Sequence, residues 1–356
     1  MSAFHGSDIE KIAAVHQISP DNLINFGVNA NPLKLSDNVK KALRDNIELI
    51  TDYPDPSYAK LKHAISHYLS VDFERILPCN GTSELIHQII QSFAPKKAML
   101  YTPTYSEYAR EVKKVGGEVL PLALTPQNKF QFPTEDFYRF LPEAELILLC
   151  NPNNPTATAL KTAELFPLIK SAKENGSLFV LDETYVEFTD RPEDYSAVAL
   201  LPEFDNLIIL RGFSKFFSAP GLRLGYGLFG SLQYLKQFQN TYPWGIHSLA
   251  AFAGELMLGD KEYIQASHQY LKKERARILS HLKQIPDLTV YPSEINFFLL
   301  QLRKKSATDL FLFLLKEGFL IRNFHDEIGE GFFRFCIMEE ENNTALLHAI
   351  ERFIHM

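Results

Sequence analysis

Cysteine is scarce in this sequence. Cys79, Cys150 and Cys336 are the three in 356 residues, far apart and odd in number. No Cys-x-x-Cys metal pair exists, the count argues against a disulfide framework, and no metal site is expected. Cys150 lies in a leucine-rich run and reads as a small buried hydrophobe. Long apolar runs are missing too. The longest, Leu146–Cys150 and Phe311–Leu315, fall far below the roughly 18 residues that a membrane-spanning helix needs. Positive charge is in deficit: 36 Lys and Arg stand against 43 Asp and Glu, a net charge of −7. A general nucleic-acid or membrane-surface binder would carry a basic footprint instead; the balance still leaves room for local basic pockets. Repeats and low-complexity linkers are absent. Residues Met1–Glu10, with His5 and Asp8, show no basic-then-apolar signal pattern. The expected location is the cytoplasm.

What is present is the composition of an ordinary globular enzyme, 46% hydrophobic and 22% charged. At roughly 150 residues per domain the length predicts about two domains. A chain of this size buries about three quarters of its unfolded surface, so its core needs no disulfide or metal. Strand candidates in the first two thirds are Ala98–Tyr101, Leu146–Cys150, Leu178–Leu181, Leu207–Leu210 and Leu224–Phe229. Most are continuously apolar, as strands of a parallel sheet covered on both faces are. Helical candidates Thr82–Phe93, Glu107–Val115 and Thr162–Asn175 lie between them. After about residue 250 one long charged amphipathic stretch, Gly254–Leu282, precedes short strands at Leu288–Tyr291, Asn296–Leu302, Phe319–Arg322 and Phe332–Ile337. Helical stretches are expected at Ala307–Glu317 and Asn343–Phe353. The charged run Lys272–Arg277 reads as a solvated helix face. The pattern predicts an α/β domain over residues 31–245 and a smaller α+β domain over residues 246–356. Residues 1–30 fit neither periodicity and read as an N-terminal arm belonging with the smaller domain and the active-site lid.

Four features fall at the ends of expected strands, where open α/β sheets bind ligands. Asn151-Pro152-Asn153-Asn154-Pro155-Thr156 follows one strand, and its X-Pro steps force a stiff turn that presents asparagine side chains. Asp182 closes the next, in Asp182-Glu183-Thr184-Tyr185. A carboxylate buried there needs a partner, and a protonated ring nitrogen would serve; capping the following turn is the alternative. Ser214-Lys215 and then Arg223-Leu224-Gly225 follow a third strand. Lys215 is the only lysine between Lys173 and Lys236, among apolar and small neighbours that suit a neutral amine nucleophile. Gly81-Thr82-Ser83 opens a helix, whose free N–H groups and positive dipole end suit an anion, with Glu84 as a capping partner. An amine, a ring-nitrogen partner, an asparagine, a tyrosine and phosphate donors together suit pyridoxal 5'-phosphate chemistry.

The order Asn154-Pro155-Thr156, Asp182-x-x-Tyr185, Ser214-Lys215 and Arg223-x-Gly225 resembles the fold-type I pyridoxal-phosphate aminotransferase superfamily. The resemblance spans nearly the whole chain and implies a large domain built on a mostly parallel, seven-stranded type of sheet between helices, with a small α+β domain. It implies that Lys215 holds the cofactor aldehyde as a Schiff base and that Asp182 pairs with the pyridine nitrogen. By the same resemblance Asn154 and Tyr185 contact the ring hydroxyl, and Tyr105 stacks on the ring. Gly81, Thr82, Ser83, Ser214 and Arg223 then hold the phosphate. Tyr53, in Asp52-Tyr53-Pro54-Asp55, corresponds to the tyrosine that reaches the phosphate across a homodimer interface. Ala157 departs from the glycine usual after Asn-Pro-Thr.

Within that superfamily the chain resembles the L-threonine O-3-phosphate decarboxylases of cobalamin biosynthesis, with the related histidinol-phosphate aminotransferases as the alternative. The resemblance rests on His5-Gly6, Ile18-Ser19-Pro20-Asp21, Asn25-Phe26, Asn29-Ala30-Asn31-Pro32 and Tyr242-Pro243-Trp244. It implies decarboxylation of threonine phosphate to (R)-1-aminopropan-2-yl phosphate, or of serine phosphate to ethanolamine phosphate. His5, Gly6, Asn31, Asn154, Arg322 and Arg334 would bind the substrate. Ser7, Asp8, Val28, Gly245 and His247 depart from the pattern, and a Val28 lining the site would crowd a substrate methyl and favour serine phosphate. A transcription regulator with a domain of this kind would carry a DNA-binding domain, for which no room is expected before Asn29.

Overall fold

A computed structural model describes residues 9–239 and 244–356 of the chain. His5, Gly6, Ser7, Asp8, Tyr242 and Pro243 lie outside the described residues. The chain divides into two compact units, one of residues 34–154 and 158–265, the other of residues 9–33, 155–157 and 266–356.

The larger unit is built on a seven-stranded sheet, in the order Ile76–Cys79, Gly225–Phe229, Leu207–Gly212, Leu178–Asp182, Leu146–Cys150, Lys97–Thr102 and Glu118–Ala123. Gly225–Phe229 is antiparallel to both neighbours; the other six strands share one direction. The central strands are the continuous apolar runs, and Leu146–Cys150 and Leu178–Asp182 are buried at every position. Each Leu or Ile so buried contributes about 1.5–3 kcal/mol.

Two strands of this sheet had no counterpart among the expected ones, and both are edges. Ile76–Cys79 contains Pro78, and Glu118–Ala123 contains Pro121. Proline breaks a strand pattern in sequence, yet is tolerated at a sheet edge, where one side of the backbone needs no ladder. Glu118 N–H and Leu124 N–H both donate toward the neighbouring strand, to Lys96 O and Thr102 O. The alternation along a strand therefore turns the nitrogen of Pro121 outward.

The long helix expected over 254–282 is two, Ser248–Gly259 and Lys261–Leu282. Asp260 separates them: its Oδ1 accepts from Tyr263 N–H at 3.0 Å and its backbone oxygen from Ile264 N–H at 3.1 Å. An aspartate in that place starts a helix more readily than it continues one. His247 caps the first of the pair, its Nδ1 accepting from Ala250 N–H at 3.2 Å.

In the smaller unit, Arg322–Asn323, Phe332–Cys336, Phe297–Leu302 and Leu288–Val290 form an antiparallel sheet in that order. The single strand expected at Phe319–Arg322 is interrupted. Phe319–Leu320 pairs in parallel with Ile24–Asn25, whereas Arg322–Asn323 belongs to the four-stranded sheet. Residues 9–33 carry the helix Ile9–His16, whose Ile12 and Ala13 pack in one cluster with Leu23, Leu315 and Leu320. The run Lys272–Arg277 is not wholly solvated. Glu274 is buried and accepts from Asn343 Nδ2 at 2.8 Å, and Arg275 is buried and donates to Glu294 O at 2.8 Å. No helix among the described residues is long and apolar enough to cross a membrane.

The helix Thr82–Phe93 starts hard against Gly225. A Cβ there would lie 2.9 Å from Thr82 N, 3.1 Å from Arg211 O and 3.2 Å from Gly81 C. Gly225→Ala must push backbone away from backbone, and should cost about 1–3 kcal/mol, read as a lower denaturant midpoint at unchanged slope.

Candidate active site

The sheet topology brings the motifs together. Four adjacent parallel strands end in register, with Cys150 beside Asp182 and Asp182 beside Leu210. Their carboxyl ends lead into Tyr105, Asn154, Tyr185 and Ser214-Lys215 respectively. The antiparallel strand enters at the same edge, Gly225 opposite both Gly212 and Cys79, so Arg223 and Gly81-Thr82-Ser83 arrive there too.

Gly81 is the N-cap of Thr82–Phe93 with φ of +82°, a conformation that favours glycine. A Cβ at Gly81 would lie 2.7 Å from Arg223 Nη2. The absent side chain thus lets a guanidinium lie directly beside a helix N-terminus, two positive features in one place. Arg223 Nη1 donates to Pro220 O at 3.1 Å, which fixes the guanidinium. Glu84 reaches back to accept from Asn80 N–H at 2.6 Å and steadies the turn. The Ser83 side chain hydrogen bonds to Tyr105, whose hydroxyl burial pushes above its ordinary pKa.

Asp182 is 4% exposed. Its Oδ1 accepts from Thr184 N–H at 2.9 Å and Thr184 Oγ1 at 2.5 Å, and its Oδ2 accepts from Tyr108 OH at 2.7 Å. Capping its own turn and serving a ligand are therefore not alternatives: one oxygen does the first. Among the described residues no basic side chain forms an ion pair with this carboxyl. Burial pushes its pKa above the ordinary value, against the Thr184 and Tyr108 hydrogen bonds.

Glu183, the next residue, is treated oppositely. Arg211 donates to its Oε2 from Nε at 3.0 Å and Nη2 at 2.8 Å, and Ala197 N–H to its Oε1 at 2.7 Å. Arg211 Nη1 also donates to Glu187 Oε1 at 2.9 Å. Every member of this group is buried.

In the Asn-Pro loop, Asn151 and Asn153 hold the turn itself. Asn151 brackets Leu160 through both its N–H and its C=O, at 2.7 and 2.9 Å. Asn153 donates to Pro103 O at 3.1 Å and accepts from Thr104 Oγ1 at 2.8 Å. Asn154 is half-buried. Ala157 has φ of +60°, the region where glycine is least strained. Lys215 and Ser214 are half-buried in a loop that closes on itself, Ser218 N–H donating to Lys215 O and Ala219 N–H to Phe213 O. Phe213, Phe216 and Phe217 around them are buried, as is Tyr185.

Tyr53 stands apart, 85% exposed, with its ring 5.5 Å from that of Trp244. In the smaller unit, Asn31 donates to Ser267 Oγ at 2.8 Å and accepts from Leu33 N–H at 3.0 Å. Arg334 donates to Gly27 O at 2.8 Å between the Phe297 and Phe324 rings. Arg322 donates to Glu327 Oε1 at 3.1 Å. Sequence reasoning missed Tyr108, Thr184 and Glu327. Tyr108 had one usable signal, its spacing of three from Tyr105 at the start of a helix.

A model of the family "Aminotransferase class I and II" matches residues 21–350. The chain belongs to this family. It is 33% identical over 353 residues to the threonine-phosphate decarboxylase of Salmonella typhimurium, covering 98% of this chain and 96% of that one. Among solved structures it resembles the histidinol-phosphate aminotransferase of Clostridium acetobutylicum, at 30% identity and a TM-score of 0.86, over 92% of this chain and 98% of that one. It also resembles the L-threonine-O-3-phosphate decarboxylase of Porphyromonas gingivalis, at 27% identity and a TM-score of 0.80, over 92% of this chain and all of that one. The fold is aminotransferase fold type I, and the cofactor of this enzyme is pyridoxal 5'-phosphate. The residues present fit that group. A buried carboxyl lacking a cation suits a protonated ring nitrogen, and the cradle left by Gly81 beside Arg223 suits a phosphate.

Asp182 yields a stability prediction. Below the ordinary carboxylate pKa the folded and unfolded chains are both protonated there. As pH rises through the higher folded value, ionisation is harder in the fold, so stability falls. Cofactor-free Asp182→Asn should therefore melt above cofactor-free wild type near pH 8, with the gap closing toward about pH 4. The same substitution should weaken retention of the cofactor, measured by dialysis and absorbance.

Proposed function

We propose that this enzyme decarboxylates a phosphorylated α-amino acid, converting L-threonine O-3-phosphate to (R)-1-aminopropan-2-yl phosphate in cobalamin biosynthesis, with L-serine O-phosphate as a second candidate substrate. The observation that carries this reading is the 33% identity to a threonine-phosphate decarboxylase along 98% of this chain. The structural likeness to a histidinol-phosphate aminotransferase, at a TM-score of 0.86, favours amino transfer as the second reading.

In the proposed reaction pyridoxal 5'-phosphate supplies the electron sink for the pair left on Cα when CO₂ departs. Gly81, Thr82, Ser83, Ser214 and Arg223 grip its phosphate, with Tyr53 contributed by a second copy of the chain. Tyr105 covers the ring, Asn154 and Tyr185 hold the ring hydroxyl, and Asp182 keeps the ring nitrogen protonated. Tyr108 and Thr184 hold the Asp182 carboxyl in place. Lys215 Nζ would hold the cofactor aldehyde and would supply the proton that returns to Cα. Arg322 and Arg334, with Asn31, Asn154, His5 and Gly6, bind the substrate's two anionic groups. Guanidinium forks suit both a carboxylate and a phosphate. Their grip fixes which substituent of Cα is presented for cleavage, and that orientation separates decarboxylation from amino transfer. The exposure of Tyr53 at 85%, beside exposed Ile50 and Trp244, supports a homodimer in which a partner covers them.

Product analysis tests this reading. Holoenzyme incubated with threonine phosphate, and separately with serine phosphate, without a keto acid, should release CO₂ and the phosphorylated amine. No CO₂ from either, with amino transfer from histidinol phosphate once 2-oxoglutarate is added, would select the aminotransferase. Lys215→Ala should lower turnover at least about 100-fold. Turnover near the wild-type rate would remove Lys215 from the mechanism.

A further inference from the structure

The guanidinium of Arg322 is already engaged. Nη2 donates to Glu327 Oε1 at 3.1 Å, and the group lies over the Phe324 ring, 5.3 Å from its centre. The pair is partly shielded, with side-chain exposures of 18% for Arg322 and 31% for Glu327. Glu327 is presented by a tight turn, in which Ile328 N–H and Gly329 N–H both donate to Phe324 O, at 2.9 and 3.2 Å. The contact is therefore built by the fold around the strand Arg322–Asn323. Burial pushes the Glu327 carboxyl above its ordinary pKa, while Arg322 opposes that shift and Asp326 adds to it.

We infer that Glu327 is an internal competitor for Arg322, and so sets how tightly this enzyme holds the anionic end of its substrate. The inference rests on the reading of Arg322 as a substrate-binding arginine. An incoming phosphate or carboxylate meets a guanidinium whose charge a carboxylate already offsets, and it approaches that carboxylate's own negative charge. Glu327 thereby weakens anion binding at Arg322, both by holding the guanidinium and by repelling the incoming charge. A glutamine at this position keeps the Oε1 acceptor that orients Arg322 and removes only the charge. The substitution therefore separates orientation from competition.

The test uses holoenzyme, in which the cofactor occupies its own phosphate cradle, and inorganic phosphate as the probe. Partly exposed ion pairs are weak, so Glu327→Gln should bind phosphate about threefold more tightly by calorimetry. The KM for threonine phosphate should fall by a similar factor, with the effect in KM rather than kcat. In an Arg322→Gln background the same substitution should have no effect, because its object is gone. Unchanged or weaker phosphate binding in Glu327→Gln, with Arg322→Gln weakened as expected, overturns the competitor and makes Glu327 a support of Arg322. Phosphate binding unaffected by Arg322→Gln alone overturns the reading of Arg322, and the inference with it.

Discussion

A carboxyl buried at the end of a central strand, with no cation paired to it among the described residues, is the constraint around which the larger unit is arranged. Asp182 is surrounded by apolar strands, and burial disfavours its charged form. Hydrogen bonds from Thr184 and Tyr108 orient it without neutralising it. Such a group is costly in a protein that must only fold, and useful in one that must hold a protonated ring. Its neighbour Glu183 shows the contrast, since Arg211 donates two hydrogen bonds to it. Two consecutive acids thus receive opposite treatment: one is paired with a buried guanidinium, the other is held by hydroxyl and backbone donors alone.

The rest of the site follows from where the sheet changes direction. The single antiparallel strand carries its amino end to the edge where its neighbours carry their carboxyl ends. Residues from six separate stretches, between Gly81 and Arg223, are gathered there. Gly81 leaves room for a guanidinium beside a helix N-terminus, and Gly225 lets that helix start close against the sheet.

Much of this was legible in the sequence. Strands buried on both faces are written as unbroken apolar runs, so Leu146–Cys150 was visible residue for residue. The motif residues were visible because phosphate, amine and ring-nitrogen chemistry restricts which side chains serve. The remainder was hidden where one residue type has two uses. Pro78 and Pro121 read as breaks, and only sheet position makes them edge residues. Asp260 is one polar residue among many in a charged stretch until its side chain caps the next helix. Tyr108 on an amphipathic helix reads as core, and its hydroxyl meets Asp182 from 74 positions away. Glu327 sits in a loop with no periodic pattern to single it out.

Pro121 has a consequence beyond marking an edge. Its outward-turned nitrogen carries no hydrogen, so the open side of Glu118–Ala123 lacks a donor at its middle. A foreign strand docking there could not complete its ladder. The large, strongly apolar sheet is thereby denied a growing end at this edge. A chain that accumulates in a crowded cell, or lingers half-folded, is guarded on that flank against joining its neighbours into an extended sheet.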